Sequence, residues 1–308
     1  MISFPNVKIN LGLNVLRKRE DGYHDLETLF VPYFGIHDTL EIIKGDEYSE
    51  TSASIAERYD HETEMAQAIS EDGKLMITIA RKEGVDWDPL KDLTAKAYRL
   101  LDEDHGLGPV KIFLEKTSPV GAGLGGGSAD AAFALSMISD IFGLGLDSQS
   151  LADYAAKLGS DCPFFVYNRP MFGEGRGEIL SAFALEGIDY GQFVLDRNVP
   201  LCEVDSDVTG WDGKECQYHL EVVVPEGIAV STAEAYRGIV PAVPSKGLRE
   251  ILSMPAEQWK GLLANDFEAT VFKAHPELAA IKDSLYESGA VYAAMSGSGS
   301  ALFGIYRK

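Results

Sequence analysis

A run of glycines near the middle of the chain constrains the fold more than any other feature of the sequence. Five glycines stand among the seven residues 121–127. Because glycine loses more conformational freedom on folding than any other residue, such a run is typical of a backbone that must approach another group closely. Val110–Leu114, before the run, is typical of a strand, and residues 131–141, after it, favour a helix. The sequence therefore predicts a strand, a glycine-rich loop at 119–128 and a helix.

A loop of this kind predicts an anion site. Successive backbone N–H groups and the positive end of the following helix point to one place, and phosphate is the natural ligand there. The Walker A pattern is excluded because Gly127, not lysine, precedes Ser128. Gly121-x-Gly123-x-x-Gly126 matches the dinucleotide fingerprint, with Asp147 about 20 residues beyond. That alternative is disfavoured by a poor second strand before Asp147, but it stays open, as does a purely structural loop.

The composition indicates which partners to expect. The chain has 27 lysines and arginines against 48 aspartates and glutamates, a net charge of −21, and nucleic-acid binding usually requires a basic face. Its three cysteines form no CxxC pair, so we expect neither disulfides nor a thiolate metal site. No apolar run approaches the ~18 residues of a membrane span, and no signal peptide is evident. We predict a cytoplasmic protein with no nucleic-acid partner, no membrane contact and no metal-ligating residues.

The length predicts two domains. A chain of 308 residues exceeds a typical single core, and a turn-rich segment at Gly173–Glu178 is the predicted hinge. We predict an α+β fold with domains 1–172 and 173–308. Strands are expected at 6–16, at 26–43 in two runs around Gly35, and near Phe193–Leu195, whereas 44–73 is expected to be a loop or a hairpin extension.

Three segments resemble the motifs of one kinase superfamily. Pro119–Ala132 resembles the second motif of the GHMP kinases, named after galactokinase, homoserine kinase, mevalonate kinase and phosphomevalonate kinase. Phe4–Leu13 is similar to a first motif and Ala294–Ala301 to the third, in the right order. The resemblance implies a two-domain GHMP-kinase-like fold with the active site in the interdomain cleft, and the use of ATP and Mg²⁺.

The run Arg19-Glu-Asp-Gly-Tyr-His24 narrows the resemblance. It is similar to the members that phosphorylate a hydroxyl of a diphosphocytidyl-linked sugar alcohol in the non-mevalonate pathway to isoprenoids. The implied partner is that small-molecule substrate, and we expect a monomer or a weak homodimer. Another GHMP-type kinase, acting on a mevalonate- or homoserine-like alcohol, is the alternative. A non-catalytic sensor with the same fold is disfavoured by the presence of Lys8 and Asp161.

The resemblance also implies roles for individual residues. The implied catalytic residues are Lys8 and Asp161. The implied substrate-binding residues are Asn10, Tyr23, His24 and Tyr236. The implied ATP-binding residues are Lys116, Pro119, Gly121, Gly123, Leu124, Gly125, Gly126, Gly127 and Ser128. Asp92 stands where the family tends to have asparagine beside the nucleotide, so this sequence departs from the family at that adenine contact.

Both implied catalytic residues are charged residues in apolar stretches of the sequence, which is unusual without any reference to a family. Asp161 stands among apolar residues, where an unpaired carboxylate is costly, although a turn or a helix cap explains it equally well. Lys8 is the only charge in Val7–Leu13, and lysine is rarely buried without a partner. An edge-strand lysine that reaches solvent is the alternative. With the resemblance, Asp161 is the expected base and Lys8 its partner.

Overall fold

The computed structural model describes residues 1–185, 187–190 and 216–308. The strands are β1 (Ile2–Ser3), β2 (Asn6–Lys18), β3 (His24–His37), β4 (Thr39–Lys44), β5 (Met65–Ile69), β6 (Leu75–Ala80), β7 (Val110–Glu115), β8 (Met171–Glu174), β9 (Ile179–Ala182), β10 (Ile188–Asp189), β11 (Tyr218–Val223), β12 (Tyr292–Met295) and β13 (Leu302–Arg307). The helices are α1 (Ser52–Arg58), α2 (Leu93–His105), α3 (Gly126–Phe142), α4 (Ser148–Leu158), α5 (Cys162–Tyr167), α6 (Thr232–Tyr236), α7 (Leu248–Leu252), α8 (Glu268–Ala274) and α9 (Pro276–Glu287). The strand predicted near Phe193–Leu195 lies outside the described residues. In the described parts of the chain, no helix is both long enough and apolar enough to cross a membrane.

The first sheet has the strand order β1-β4-β7-β6-β5. Only β6 and β7 pair in parallel, and the other neighbours are antiparallel. Apolar residues of β4, β6 and β7 share one hydrophobic core with α2, α3 and α4. Helix α2 begins where Asp92 accepts a hydrogen bond from the Thr94 N–H and ends at Gly106, which adopts the left-handed conformation. This layer of helix on sheet supports the glycine-rich loop, because the loop joins β7 to α3.

Two further sheets complete the α+β fold. One has the order β2-β3-β8-β9 and the other β10-β11-β13-β12. Ile9 and Leu11 of β2 belong to the same hydrophobic core as Tyr292 of β12 and Phe303 of β13. The N-terminal strand therefore packs on the C-terminal sheet, which brings the first and third sequence motifs into one region. The predicted α+β class is confirmed.

The predicted hinge at Gly173–Glu178 is the turn of a hairpin. Strands β8 and β9 pair antiparallel around it, and the Gly177 N–H donates to the Glu174 carbonyl at 3.0 Å. Strand β8 also pairs with β3. The proposed boundary after residue 172 thus falls inside β8, and the division into domains 1–172 and 173–308 stays a prediction.

The two strands expected within 26–43 are present as β3 and β4, but they do not divide at Gly35. Strand β3 continues through Gly35 to His37, and the break before β4 comes at Asp38. A Cβ atom at Gly35 would lie within 2.6 Å of the Tyr33 ring. The glycine therefore marks a close side-chain contact rather than a turn, a use of glycine in strands that sequence alone does not distinguish.

The acidic segment 44–73 is more ordered than a loop. It contains α1, and its last part forms an antiparallel hairpin of β5 with β6, as the hairpin alternative predicted. Glu41 of β4, only 1% exposed, accepts hydrogen bonds from Ser49 Oγ at 2.6 Å and from the Glu50 N–H at 2.8 Å. One buried carboxylate thus attaches the start of this segment to the sheet.

Candidate active site

The glycine-rich loop adopts backbone conformations that favour glycine. Gly121, Gly123 and Gly125 have φ of +75°, +77° and +74°. Helix α3 begins at Gly126, directly after them, so the first N–H groups of the helix, which have no intrahelical partner, lie at the end of the loop. The predicted strand, loop and helix are all present, with the helix starting two residues earlier than Ser128.

The glycine-rich loop meets the third motif at Gly123. The Gly123 carbonyl accepts hydrogen bonds from Lys8 Nζ at 3.1 Å and from Ser296 Oγ at 3.2 Å. The Ala301 N–H donates to the Ala122 carbonyl at 3.1 Å. A Cβ atom at Gly123 would approach Gly299 O to 3.0 Å and Ser296 O still more closely. Glycine is therefore required here by the close approach of two backbones as well as by its φ.

Lys8 and Asp161 form an ion pair beside this loop. The Lys8 ammonium lies 3.4 Å from the Asp161 carboxylate and donates to Asn10 Oδ1 at 2.5 Å. Lys8 is 3% exposed, so it does not reach solvent although β2 is at the edge of its sheet. The Asp161 side chain is 35% exposed and makes no capping hydrogen bond to α5. Lys8 therefore does not point to solvent, and Asp161 does not cap a helix.

Asn10 links β2 to its neighbours. Its Nδ2 donates to Thr28 Oγ1 at 3.1 Å, and its backbone N–H donates to Ser296 Oγ at 3.2 Å. Thr28 in turn donates to the Gly12 carbonyl at 2.6 Å. Sequence reasoning missed Thr28, although a hydroxyl among the buried residues of Leu26–Val31 was a usable signal. Asn10 shares a strand face with Lys8 because the two are two residues apart.

Two of the implied substrate-binding residues, His24 and Tyr236, lie in contact. The rings of His24 and Tyr236 stack with centroids 4.8 Å apart, and the edge of Phe267 packs on Tyr236. Burial raises the pKa of the Tyr236 phenol, and the nearby charge of Asp161 raises it further, which relates this stack to the Lys8–Asp161 pair. Tyr23 is 56% exposed, and the Arg176 guanidinium lies 4.9 Å from its ring centre.

The remaining implied ATP-binding residues differ in which of their groups a ligand could reach. The Leu124 side chain is buried in the core, and its carbonyl accepts from the Lys8 N–H at 2.9 Å, so only its N–H is available to a ligand. Pro119 and Ser128 are half-buried at the two ends of the loop. Ser128 is the third residue of α3, which places its hydroxyl in the first turn of the helix.

Lys116 is surrounded by buried partners. It is 6% exposed, and its ammonium donates to Asp38, to Ser118 Oγ at 2.9 Å and to Asp130 Oδ2 at 2.7 Å. An ammonium group has three donors, and all three are used. Asp92 caps α2 and accepts from Trp87 Nε1 at 3.1 Å. The expected contact of Lys116 with ATP stays a prediction.

Asn265 is a structural residue of the site that sequence reasoning missed. Its buried amide Nδ2 donates to the carbonyls of Met295 and Gly297, each at 2.8 Å, and its Oδ1 accepts from the Phe267 N–H at 3.0 Å. It therefore holds the third-motif loop from outside that loop. An Asn-Asp pair after the apolar run Leu262–Ala264 was the only local signal, and it indicates a turn rather than a partner 30 residues away.

The described residues contain no cluster of three or more histidines, cysteines or acidic residues that could hold a metal ion. The chemistry of the site instead combines a buried cation, a half-exposed carboxylate and a loop of free backbone N–H groups. Such an arrangement is suited to phosphoryl transfer, which depends on positioning and on charge stabilisation more than on covalent catalysis by the protein.

Comparison with known proteins supports this interpretation. The family described as GHMP kinases N terminal domain matches residues 92–169, and the family described as GHMP kinases C terminal matches residues 245–308. The 4-diphosphocytidyl-2-C-methyl-D-erythritol kinase of Parabacteroides distasonis is 40% identical over 308 residues, covering 100% of this chain and 92% of its own. The enzyme of the same name from Bacteroides fragilis is 40% identical over 307 residues, covering 99% and 92%.

Solved structures show the same relationship. A crystal structure of 4-(cytidine 5'-diphospho)-2C-methyl-D-erythritol kinase matches with a TM-score of 0.67 and 29% identity, over 99% of this chain and 89% of the other. A mevalonate kinase matches with a TM-score of 0.61 and 13% identity, over 100% and 91%. The second likeness shows the shared fold alone, whereas the first agrees with the sequence relatives.

Proposed function

Because the chain belongs to the 4-diphosphocytidyl-2-C-methyl-D-erythritol kinase family of the GHMP kinases, we propose that it transfers the γ-phosphate of ATP to a hydroxyl of 4-diphosphocytidyl-2-C-methyl-D-erythritol. The observation that supports this most directly is the ion pair of Lys8 and Asp161, 3.4 Å apart, beside the glycine-rich loop. A cation and a proton acceptor thus lie beside the backbone that is proposed to bind phosphate.

Asp161 is the proposed base. Its half-exposed carboxylate has access to a substrate hydroxyl, and it is not engaged in capping α5. As the hydroxyl oxygen attacks the γ-phosphorus, its proton passes to Asp161 and the bond from the phosphorus to the bridging oxygen of ADP breaks. Lys8 orients the carboxylate and stabilises the negative charge that develops on the attacking oxygen.

The backbone of the glycine-rich loop is suited to binding the phosphates of ATP. Three glycines at positive φ and the unpaired N–H groups at the start of α3 form a concave donor surface suited to phosphate. Bound together with ATP, Mg²⁺ would neutralise charge on the phosphates, and one or two protein ligands would be enough to hold it there. The Ser128 hydroxyl, in the first turn of α3, is the proposed protein ligand, which departs from the expectation that no residue of the chain binds a metal.

The cytidine end of the substrate is assigned to Tyr23, His24 and Tyr236. Aromatic rings hold a pyrimidine by stacking, and an imidazole adds a hydrogen bond to its edge. Binding at this remote end aligns the reacting hydroxyl with the phosphorus, which is how such binding accelerates transfer. The cleft between the two halves, a location in the cytoplasm and a monomer or weak homodimer stay proposals.

A panel of acceptors tests the function. Purified protein with Mg²⁺ and ATP is incubated separately with 4-diphosphocytidyl-2-C-methyl-D-erythritol, mevalonate and homoserine, and ADP release is measured. We expect turnover with the diphosphocytidyl compound and kcat/KM at least about 10³-fold lower for the other two, since they cannot use the cytidine subsite. Comparable turnover of mevalonate or homoserine would instead assign the chain to a sister GHMP activity.

A further inference from the structure

The two ends of the glycine-rich loop are joined by one buried ammonium group. We propose that Lys116 is a positioning residue that holds these ends together, and that it acts on ATP through the loop rather than as a direct phosphate ligand. The inference rests on the proposed function, because it takes the loop to be the ATP phosphate site. Lys116 follows β7 immediately, and the loop ends where α3 begins at Gly126.

The start of the loop is bound to Asp38. Its Oδ1 accepts from the backbone N–H groups of Thr117 at 2.7 Å and Ser118 at 2.6 Å, and its Oδ2 accepts from Ser118 Oγ at 2.6 Å. Asp38 is fully buried and occupies the single position between β3 and β4. The two residues that precede Pro119 are therefore fixed to the junction of two strands.

The end of the loop is bound to the same ammonium through Asp130. Lys116 Nζ donates to Asp130 Oδ2 at 2.7 Å, and Asp130, the fifth residue of α3, is 1% exposed. A Cβ atom at Gly126 would lie 3.1 Å from Lys116 Nζ and closer still to Ser118 Oγ. The ion cluster consequently packs directly against the first residue of the helix whose N–H groups face the proposed phosphate site.

Burial and pairing act in opposite directions on the three charged groups of this cluster. Burial alone would raise the pKa of Asp38, but the Lys116 charge and the hydrogen bonds with Ser118 outweigh it, so that pKa lies below its usual value. Burial raises the pKa of Asp130 well above its usual value, against the attraction of Lys116. Burial tends to lower the pKa of Lys116, but the two carboxylates outweigh it and the ammonium stays charged.

Contact with a phosphate would disrupt this cluster. Every donor of the Lys116 ammonium is already bonded, so a ligand would have to displace Ser118, Asp38 or Asp130. Loss of either carboxylate would leave a buried charge without its partner, which is strongly destabilising. Joining the ends, in contrast, restricts a loop that glycine makes conformationally free. The gain is a fixed placement of backbone N–H groups, on which phosphoryl transfer depends.

Asp38 helps to separate the two roles of Lys116, because it is bonded to the start of the loop directly, through the N–H groups of Thr117 and Ser118. Lys116→Met, Asp38→Asn and the double variant are compared with the unmodified enzyme. Glu41→Gln is the matched control, since it removes a buried carboxylate of the same sheet whose partners lie in 49–51, away from the loop. The readouts are kcat, both KM values, and calorimetric affinity for a non-hydrolysable ATP analogue.

If Lys116 is a positioning residue, both single variants should raise the KM for ATP and lower the affinity for the analogue, each by about tenfold or more. The KM for the diphosphocytidyl substrate should stay within about twofold of its normal value. The double variant should be no worse than the poorer single variant, because both break one link. The control should keep both KM values and its affinity for the ATP analogue. A merely structural role would lower the amount of active enzyme and so kcat, without moving one KM selectively.

Ser118→Ala keeps both charges and removes one hydroxyl of the cluster, so it gives a milder test if Lys116→Met does not fold. It should raise the KM for ATP by about threefold. Normal ATP binding by Asp38→Asn beside weak binding by Lys116→Met would overturn the proposal in favour of direct contact, as would normal binding by all the variants. An unmodified protein that neither binds the analogue nor turns over would refute the proposed function itself.

Discussion

At the scale of single residues, the site depends on a charged pair in mostly apolar surroundings. Lys8 packs its ammonium 5.4 Å from the centre of the Phe30 ring, and a Cβ at Gly125 would lie 3.2 Å from its Cε. A lysine so enclosed has few rotamers available, which keeps its charge beside Asp161 and Gly123. The pair is thereby oriented before any substrate binds, and pre-orientation of this kind lowers the cost of reaching the transition state.

Asp161→Asn should remove the base while leaving the shape of the site unchanged. We expect kcat to fall by about 10²-fold or more, the usual scale for losing a general base, with the KM values for ATP and for the alcohol largely retained. The measurement is steady-state ADP release on folded protein. Asparagine caps helices about as well as aspartate, so near-normal turnover of this variant would refute the catalytic role of Asp161.

At the scale of structural elements, the loops of the second and third motifs support each other. Strand β2 lies between them: its Lys8 N–H donates to Leu124 and its Asn10 N–H donates to Ser296. Asn265, which precedes α8, holds the third-motif loop from the other side. The glycine-rich loop therefore derives part of its shape from elements far away in the sequence, and a substitution at their contact should act on the whole site.

Gly123→Ala tests that contact, and Gly121→Ala is its matched control. Both residues have φ near +75°, so both variants incur the left-handed strain of about 1–2 kcal/mol. Only at position 123 does the new methyl meet Ser296 O and Gly299 O, whereas nothing lies within 4 Å at position 121. We expect Gly123→Ala to lower kcat/KM for ATP at least about tenfold more than Gly121→Ala. Equal losses in the two variants would mean that the loops do not depend on their contact.

At the scale of the whole molecule, the net charge of −21 makes pH a strong variable. Many carboxylates repel one another at neutral pH, and acidification relieves this repulsion while protonating the few carboxylates that are structurally required. Glu41 is one of these, because it connects the segment 44–73 to the first sheet. Burial alone would raise the pKa of Glu41. The hydrogen bonds from Ser49, Thr51 and Glu50 outweigh that effect, so the pKa lies below its usual value.

The sign of the pH effect follows from that lowered pKa. The unfolded chain binds the proton first, so the stabilisation by Glu41 is present above its unfolded pKa of 4.5 and is lost as pH falls through the lower folded value. Glu41→Gln should therefore be less stable than the unmodified protein at neutral pH, and the difference should narrow below pH 4.5. Denaturant unfolding at a series of pH values measures it. A difference that is constant with pH would exclude this role.

Local patterns account for the parts of the site that lie close together in sequence. The glycines at 121–127 predicted the loop, and the spacing of two residues predicted that Lys8 and Asn10 share a face of β2, because side chains alternate along a strand. The three motif segments also predicted the α+β kinase fold through their resemblance to a superfamily. These predictions hold because backbone conformation and side-chain direction depend mainly on the nearest residues.

Only the tertiary structure decided which distant groups became partners. Lys116 is bonded to Asp38, 78 residues away, because β4 and β7 are neighbours in the first sheet. Ser296 reaches the Gly123 carbonyl across 173 residues, since β2 packs on the C-terminal sheet. A buried charge is paired by whichever group the packing of sheets and helices brings beside it, and no local pattern in the sequence records that choice.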